Sequence, residues 1–496
     1  MKLKRILAIS LAALMIVALV GCGGKKRERI ALTLSTEDSE AILNAAGIYL
    51  PDAETAPGAN GVVKWYANYD FYQYSEGELA NLGFFTFKER YGGDSEWIEY
   101  PSWEERYTQL ANLVLAGTSP DFMPGVPDLF PNKALKGMIQ PVNDYIDYSD
   151  PLWGPMKDYA EKYFSIGDKI YIIAYDMSCN LVCPYNPRVI EEWGFDDPAE
   201  LYANDEWTWD RFADMCYEFT DGDQDRYALD GWYFSRAIMR SAGISTVSLD
   251  STTGKSVSNL DDPRLERAAA VLYDLNKAET IYPWWNGWQL RNGTDGGGMK
   301  EGTCLFQPIG MWGFTSGDYE TVSAVWGDTK NGEIMFVPIP RDPNGDGVYY
   351  MDAQPSGYAI IAGATNPEGV GLLAMCDRFK TIDPTVENIN RLQYKTKFFW
   401  TDEMLEMWDE CYELANADPD HVIIAYADDA NGGLGNSIGT RITTIDDNAH
   451  STSAAGAQTW AQIKESQGDA LQYDIDELNQ QIDDFIANGY TALPSE

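Results

Sequence analysis

The first third of the chain alternates between short apolar runs and amphipathic stretches. The run GVVKWYANYD at 61–70 predicts a buried strand, and residues 76–92 predict a helix that ends at a glycine. SEWIEY predicts a second strand, and residues 102–125 predict a helix followed by a buried strand at DFMPG. This alternation predicts an α/β lobe with a largely parallel sheet, in which ligands bind beyond the carboxyl ends of the strands.

The remainder of the chain continues the mixture of strands and helices. Residues 167–187 contain two strand-like runs with a break at DMSC, and residues 332–352 predict a hairpin that turns at NGDG. Three further segments have the spacing of amphipathic helices, namely residues 205–219, EGVGLLAMCDRFKT and DALQYDIDELNQQIDDFI. A chain of 496 residues is too long for one core, so we expect at least two packing units.

The N-terminus predicts export. Residues 1–21 place three basic side chains before the apolar run ILAISLAALMIVALV, as in a secretory signal peptide. The signal ends in LVGC, which resembles the bacterial lipobox, so we expect Cys22 to carry lipid, including palmitate. Because several acyl chains bind a bilayer firmly, this predicts a protein anchored to the outer face of the cell membrane. Residues 22–57 are predicted to be mostly tether, with a short helix around SEAILNAAGIYL left open.

Charge and composition exclude several classes of function. The chain has 77 Asp and Glu against 36 Lys and Arg, which argues against nucleic-acid binding and against docking of the folded part on anionic lipid. A solubilising surface accounts for most of this excess. Only His421 and His450 are present, so we expect neither a histidine metal centre nor a Ser-His-Asp triad. The six cysteines other than Cys22 are predicted to be mostly buried free thiols.

Two acidic loops raise the question of calcium. Residues 342–347, DPNGDG, match the opening of an EF-hand-like loop, but position twelve is Ala353. Residues 221–225, DGDQD, place three aspartates at alternate positions. Ordinary turns with Asx hydrogen bonds are the favoured interpretation of both loops, and we predict no cofactor.

The order of several short segments resembles the extracellular solute-binding proteins of bacterial ABC importers. The resemblance is to the carbohydrate binders that include maltose-binding protein, and it covers about residues 61–490. Each motif is weak alone, but their order and spacing are specific. The segments that carry it are YTQLANLVLAGTSPDFMPG with LFPNKALKGMIQPVNDYI, GDKIYIIAYD, YNPRVIEEWGF with WTWDRF, MKEGTCLFQPIGMW, and FVPIP with SGYAI.

The resemblance implies a fold and its division. We expect an α/β, two-lobed periplasmic-binding-protein-like fold of type II, with three crossovers near 171–178, 351–358 and 398–406. Lobe 1 would comprise residues 58–174 and 354–400, and lobe 2 residues 175–353 and 401–490. Hinge closure would trap a ligand between the lobes. The resemblance also implies a monomer whose partners are a small-molecule carbohydrate and the permease subunits of an ABC importer.

Candidate ligand-binding residues are aromatic rings, which stack on the C–H faces of sugars, and polar groups that bind hydroxyls. The resemblance aligns Trp312 and Trp232 with cleft aromatics. The positions of residues within the predicted strands and loops add two further groups of candidate ligand-binding residues. Those at strand ends and crossovers are Tyr69, Asp70, Asp128, Asp176 and Asn180. Trp65 is predicted to be core or cleft floor. Trp285 and Trp288, in the loop YPWWNGWQ, are predicted to form a lip of the cleft, and the alternative is that Trp284 and Trp285 pack in the core of lobe 2 while Trp288 is free.

These observations predict a non-enzymatic receptor for a sugar or oligosaccharide. Within the same fold, a glycerophosphodiester or a polyamine is an alternative ligand. The charge of the cleft distinguishes these two, because a phosphate needs arginine and an ammonium group needs carboxylates. A surface glycoside hydrolase is a third hypothesis, because it requires only two suitably spaced carboxylates. A structural lipoprotein or adhesin, which would have no closing cleft, is the fourth.

Overall fold

The computed structural model describes residues 28–32, 34–231, 233–250, 253–283, 298–424, 438–449 and 457–492. Its strands are β1 (Val62–Ala67), β2 (Asp94–Glu99), β3 (Phe122–Pro124), β4 (Ser165–Ile166), β5 (Lys169–Ile170), β6 (Ile173–Cys179), β7 (Cys183–Tyr185), β8 (Tyr227–Leu229), β9 (Val247–Asp250), β10 (Lys255–Ser258), β11 (Cys304–Phe306), β12 (Met335–Val337), β13 (Met351–Ile360) and β14 (Val422–Ile423).

Its α-helices are α1 (Thr36–Tyr49), α2 (Leu82–Tyr91), α3 (Arg106–Leu115), α4 (Asn132–Leu135), α5 (Met156–Tyr163), α6 (Pro187–Trp193), α7 (Pro198–Ala203), α8 (Trp209–Phe219), α9 (Phe234–Ser241), α10 (Pro263–Lys277), α11 (Tyr319–Trp326), α12 (Pro367–Ile382), α13 (Pro384–Gln393), α14 (Asp402–Asn416), α15 (Ile438–Asn448) and α16 (Trp460–Ala487). Short 3-10 helices occupy Pro127–Leu129, Gly222–Gln224, Met311–Phe314 and Thr329–Asn331, and a π-helix occupies Tyr394–Phe398.

The sheet of lobe 1 has the predicted parallel centre. β1 lies between β2 and β3 and pairs parallel with both. Helix α2, predicted from the periodicity of 76–92, begins at Leu82, where the Asn81 side chain accepts a hydrogen bond from the Phe84 N–H at 3.0 Å. It ends at Gly92, whose φ of 64° gives the left-handed cap that glycine adopts most readily. The carboxyl ends of β1, β2 and β3 therefore meet at one edge.

Two antiparallel strands connect the lobes. β6 runs from lobe 1 toward β7 of lobe 2, and β13 returns along it and then pairs with β3. The predicted break at DMSC is wrong, because Asp176 continues β6 opposite Ser356 of β13. The irregularity lies one residue earlier on β6, where Tyr175 is the extra residue between Ala174, opposite Gly357, and Asp176, opposite Ser356.

Lobe 2 is assembled from small sheets covered by helices. β7 pairs antiparallel with β12, β8 pairs parallel with β11, and β9 pairs antiparallel with β10. The predicted hairpin over 332–352 is therefore wrong, since β12 and β13 pair with different strands. The chain still turns at NGDG. Beside this turn, the Asp342 carboxylate binds Arg267 at 2.5 Å, and Asp346 accepts a hydrogen bond from the Tyr350 hydroxyl at 2.7 Å.

Part of the predicted tether is folded. Helix α1 packs on α2 and α13, and its Ile42, Ala45 and Ala46 are buried. This is the short helix left open within residues 22–57. The prediction of a tether is corrected for the segment around this helix, because its apolar stripe is buried on lobe 1.

The cysteine prediction is confirmed for the described residues, where all six thiols are buried and none of them forms a disulfide. Cys179 on β6 donates to the carbonyl oxygen of Cys411 on α14 at 2.8 Å, so this thiol supports the packing of the crossover. Among the helices that the structure describes, none combines the length and apolarity needed to cross a bilayer. The predicted signal peptide and Cys22 lie outside the described residues.

Candidate functional site

The carboxyl edge of the lobe 1 sheet presents aromatic side chains to solvent. Tyr69 follows β1 and is 51% exposed, and Trp103 follows β2 and is 37% exposed. Asp128 follows β3, in the 3-10 helix at Pro127–Leu129. Their common location follows from the parallel pairing of the three strands, as the sequence predicts.

Trp65 is a core residue of lobe 1. Its side chain has no exposed surface, and its ring packs against Phe71 at 4.9 Å and Phe122 at 4.6 Å between centroids. Its indole N–H donates to the Tyr69 carbonyl oxygen at 2.8 Å. Of the two interpretations of Trp65, the structure supports the core, and the residue acts on the site by fixing the chain at Tyr69.

Asp70 points away from solvent. Its carboxylate is fully buried, where it pairs with Arg29 at 2.7 Å and accepts a hydrogen bond from the Tyr74 hydroxyl at 2.9 Å. The backbone N–H of Phe71 donates to its second oxygen at 2.8 Å. The prediction that Asp70 offers its carboxylate at the cleft edge is corrected, since Arg29, Tyr74 and Phe71 already satisfy the charge.

Asp128 belongs to a buried cluster that the sequence did not reveal. Its carboxylate is bound by the Arg106 guanidinium, and both side chains are almost completely buried. The guanidinium lies 3.8 Å from the Trp103 ring centroid and 4.3 Å from that of Tyr107, and it also donates to the Trp103 carbonyl oxygen. Asp128, a candidate ligand-binding residue in the sequence, is therefore a buried partner of Arg106, and Arg106 fixes Trp103 from its inner side.

Arg106 and Trp103 are the residues that sequence reasoning missed. The signal available was the spacing of SWEERY at 102–107, which places Trp103, Arg106 and Tyr107 within one turn and a half at the start of a helix. The helix was predicted to begin at residue 102, whereas it begins at Arg106 and leaves Trp103 in the preceding loop.

Asp176 lies in the middle of the first crossover strand. Its side chain is buried and accepts a hydrogen bond from the Tyr412 hydroxyl of α14 at 2.7 Å. Burial raises the pKa of Asp176 to about 6, although the Tyr412 hydrogen bond and the nearby Arg378 guanidinium act in the opposite direction. The sequence placed Asp176 among the candidate ligand-binding residues, but its burial and its hydrogen bond with Tyr412 favour a role in supporting the hinge.

Asn180 joins a buried ionic cluster at the lobe 2 end of the crossovers. Its side-chain N–H donates to Asp352 Oδ1 at 3.1 Å, and its backbone N–H donates to the Asp352 carbonyl oxygen at 2.8 Å. Arg236 and Arg240 bind the same carboxylate at 2.8 and 3.0 Å. Burial opposes ionisation, but the two arginines hold the pKa of Asp352 below its usual value. This cluster fixes β6 to β13.

Trp312 is an exposed aromatic of lobe 2. It lies in the 3-10 helix Met311–Phe314 and is 46% exposed. Gly310 lies between the Trp312 ring and the end of the first crossover. A Cβ at Gly310 would collide with Trp312 Nε1 and would lie 2.8 Å from the Asn180 carbonyl oxygen. Trp312 therefore lies beside the hinge, as expected for a cleft residue. Trp232, Trp285 and Trp288 lie outside the described residues.

An open cavity of about 520 Å³ lies between the two lobes. Residues of the loop after β1, together with Glu28, form one side, and the segment that follows Trp312 forms the other. The lining residues are Glu28, Tyr74, Ser75, Glu78, Gly317, Asp318 and Thr321. Within the described part of the chain, no cluster of His, Cys, Asp or Glu has the arrangement of a metal site.

The fold and this cavity define a two-lobed binding protein whose lobes are connected by extended strands. A family model described as bacterial extracellular solute-binding protein matches residues 71–374, and the chain belongs to this family. No curated protein matches the chain.

Solved structures share the fold at low sequence identity. An ABC substrate-binding protein from Listeria monocytogenes in complex with cycloalternan is 12% identical, with a TM-score of 0.58 over 84% of this chain and 99% of that chain. The GacH receptor of Streptomyces glaucescens, studied with acarbose, is 17% identical, with a TM-score of 0.56 over 84% and 98%. The lacto-N-biose-binding protein of Bifidobacterium longum is 16% identical, with a TM-score of 0.56 over 85% and 97%.

Proposed function

We propose that this protein captures a sugar or oligosaccharide between its lobes and delivers it to an ABC permease. The observation that carries the proposal is the presence of exposed aromatic rings on both lobes, Tyr69 and Trp103 on lobe 1 and Trp312 on lobe 2. Rings at these positions offer flat apolar surfaces to the C–H faces of a sugar. Family membership and the oligosaccharides in the similar structures support the same ligand class.

The ligand contacts that we propose are fewer than the sequence suggested. Tyr69, Trp103 and Trp312 would stack on the glycan, with Trp232, Trp285 and Trp288 as further candidates on lobe 2. Asp70, Asp128 and Asp176 would act indirectly, by holding the loops and the hinge. Polar contacts to hydroxyls would come from the cavity lining, which includes Ser75 and Thr321.

Three buried carboxylates near the crossovers and strand ends are not available for hydrolysis, and membership of a solute-binding family favours binding. A glycoside hydrolase needs an acid and a second carboxylate facing the scissile bond. Asp70, Asp128 and Asp352 are each bound by an arginine side chain and are therefore committed to structural ion pairs. We therefore propose that the protein releases its glycan unchanged.

The acidic charge of the cavity is compatible with a polyamine as an alternative ligand. Glu28, Glu78 and Asp318 line it, and acidic groups favour a polyamine over a phosphodiester among the other solutes. Calorimetric titration of the chain without its predicted signal, residues 23–496, separates the two. Saturable heat with one class of glycan, and none with spermidine, supports the sugar receptor. The reverse pattern keeps the fold and replaces the ligand.

We also propose that lipid on Cys22 anchors the protein at the outer face of the cell membrane. The lipobox-like LVGC and the preceding signal support this. Cells that express the full chain with Cys22→Ser should release the protein into the soluble extracytoplasmic fraction. Wild-type chain should stay with the membrane and incorporate labelled palmitate. Equal membrane retention of both chains would contradict the anchor.

A further inference from the structure

The first described residues of the chain contact the loop that follows β1. Arg29 Nε pairs with Asp70 Oδ2 at 2.7 Å, and its guanidinium lies 4.5 Å over the Tyr72 ring. The backbone N–H of Ile30 donates to the Gln73 carbonyl oxygen at 2.8 Å, which forms an isolated antiparallel bridge. These contacts attach residues 28–32 to the loop by charge, ring stacking and backbone pairing together.

The ion pair matters because Asp70 is completely buried. A carboxylate without exposed surface is unfavourable unless a cation and hydrogen bonds compensate for the loss of water. Tyr74 and the Phe71 N–H supply hydrogen bonds, and Arg29 is the cation paired with it. Without Arg29, the loop must expose Asp70 to water or protonate it.

The same loop carries Tyr69, the residue before Asp70. On its inner side the loop is fixed by Trp65, whose indole N–H donates to the Tyr69 carbonyl oxygen at 2.8 Å. On its outer side it is fixed by the Arg29–Asp70 pair. Glu28, adjacent to Arg29, already lines the cavity between the lobes. Residues 28–32 are therefore in contact with the candidate site itself.

We propose that residues 28–32 form a strap that holds the Tyr69 loop in its ligand-binding position, with Arg29 as the positioning residue. The inference rests on the proposed function, because it takes Tyr69 as a ligand contact. If the strap is lost, the loop populates other conformations, and the observed Kd rises in inverse proportion to the competent fraction. The strap precedes the part of the chain that matches the family model, residues 71–374.

The test compares Arg29→Ala with a matched control in residues 23–496. Lys88 has the same exposed fraction as Arg29, 37%, and lies near the same Tyr72 ring, but it is 3.9 Å from Asp94 and does not contact Asp70. Arg29→Ala should raise the Kd for the bound glycan about tenfold, as expected from the loss of one hydrogen bond between charged groups. Lys88→Ala should leave the Kd unchanged.

A role in folding alone gives a different result. It lowers Tm and the fraction of active protein while the Kd of the active fraction stays at the wild-type value, and that outcome would overturn the proposal. Asp70→Asn removes the buried charge, so adding Arg29→Ala to Asp70→Asn should change the Kd much less than Arg29→Ala does alone. Additive effects would show that Arg29 does not act through Asp70.

A second measurement tests the strap without ligand. Hydrogen exchange of the loop amides, including the Phe71 N–H that donates to Asp70, should accelerate in Arg29→Ala and not in Lys88→Ala. Accelerated exchange in a protein that binds no glycan would retain the strap and reject the proposed function. Glycan binding by the wild type with unchanged exchange and Kd in Arg29→Ala would reject the strap and retain the function.

Discussion

Replacing Asp176 by Asn should remove a pH-dependent loss of stability from the hinge. Burial raises the pKa of Asp176 from 3.8 to about 6, so the folded protein holds this proton more tightly than the unfolded chain. The stabilisation from the protonated form is complete below pH 3.8 and is lost as pH rises through about 6. Asn resembles the protonated acid, and its carbonyl oxygen accepts the Tyr412 hydroxyl in the same way.

The magnitude follows from the shift. A rise of the pKa from 3.8 to about 6 corresponds to about 3 kcal/mol. Relative to wild type, Asp176→Asn should therefore gain about 3 kcal/mol in the free energy of unfolding between pH 4 and pH 8. Urea unfolding at several pH values measures it, with Asp214→Asn, at an exposed position of α8, as the control. Parallel pH profiles for wild type and Asp176→Asn would refute the reasoning.

Three other substitutions separate binding from folding. Trp312→Ala, at an exposed ring, should weaken glycan binding by tenfold or more in calorimetry and leave a cooperative unfolding transition. Trp65→Ala should cost about 3–5 kcal/mol of stability in urea, because it empties a fully buried site; near-wild-type stability would contradict its assignment to the core. Asp352→Ala should cost about 3–5 kcal/mol, since it leaves Arg236 and Arg240 without their shared carboxylate; a loss below 1 kcal/mol would show that water compensates these arginines.

The sequence predicted the lobe 1 sheet because its strands and helices carry clear periods and end signals. Val62–Ala67 and the Gly92 cap are examples, and the strand order then placed Tyr69 and Asp128 at one edge. The pairing of strands that are distant in the chain could not be predicted from these local signals. Local signals predicted a hairpin of β12 and β13, whereas β12 pairs with β7 and β13 pairs with β6, each more than a hundred residues away in the chain.

The sequence named Tyr69 and Trp312, which are both exposed, but it did not show the surroundings of the carboxylates. Trp312, which the resemblance aligned with a cleft aromatic, is exposed and lies near Asn180 at the end of the first crossover strand. Asp70 and Asp128 follow strands, as ligand-binding residues do, but each pairs with an arginine from another segment, Arg29 or Arg106. Local sequence shows where a carboxylate lies along the chain, while its partner depends on tertiary packing.

Titration of intrinsic tryptophan fluorescence with mono- and oligosaccharides tests the central claim most directly. The exposed Trp103 and Trp312 indoles should report ligand, so residues 23–496 should give a saturable change with one class of glycan. The same glycan should be recovered intact after prolonged incubation. An unchanged spectrum across the panel, together with a saturable response to spermidine, would contradict the sugar receptor, and release of shorter glycans would contradict a receptor without catalysis.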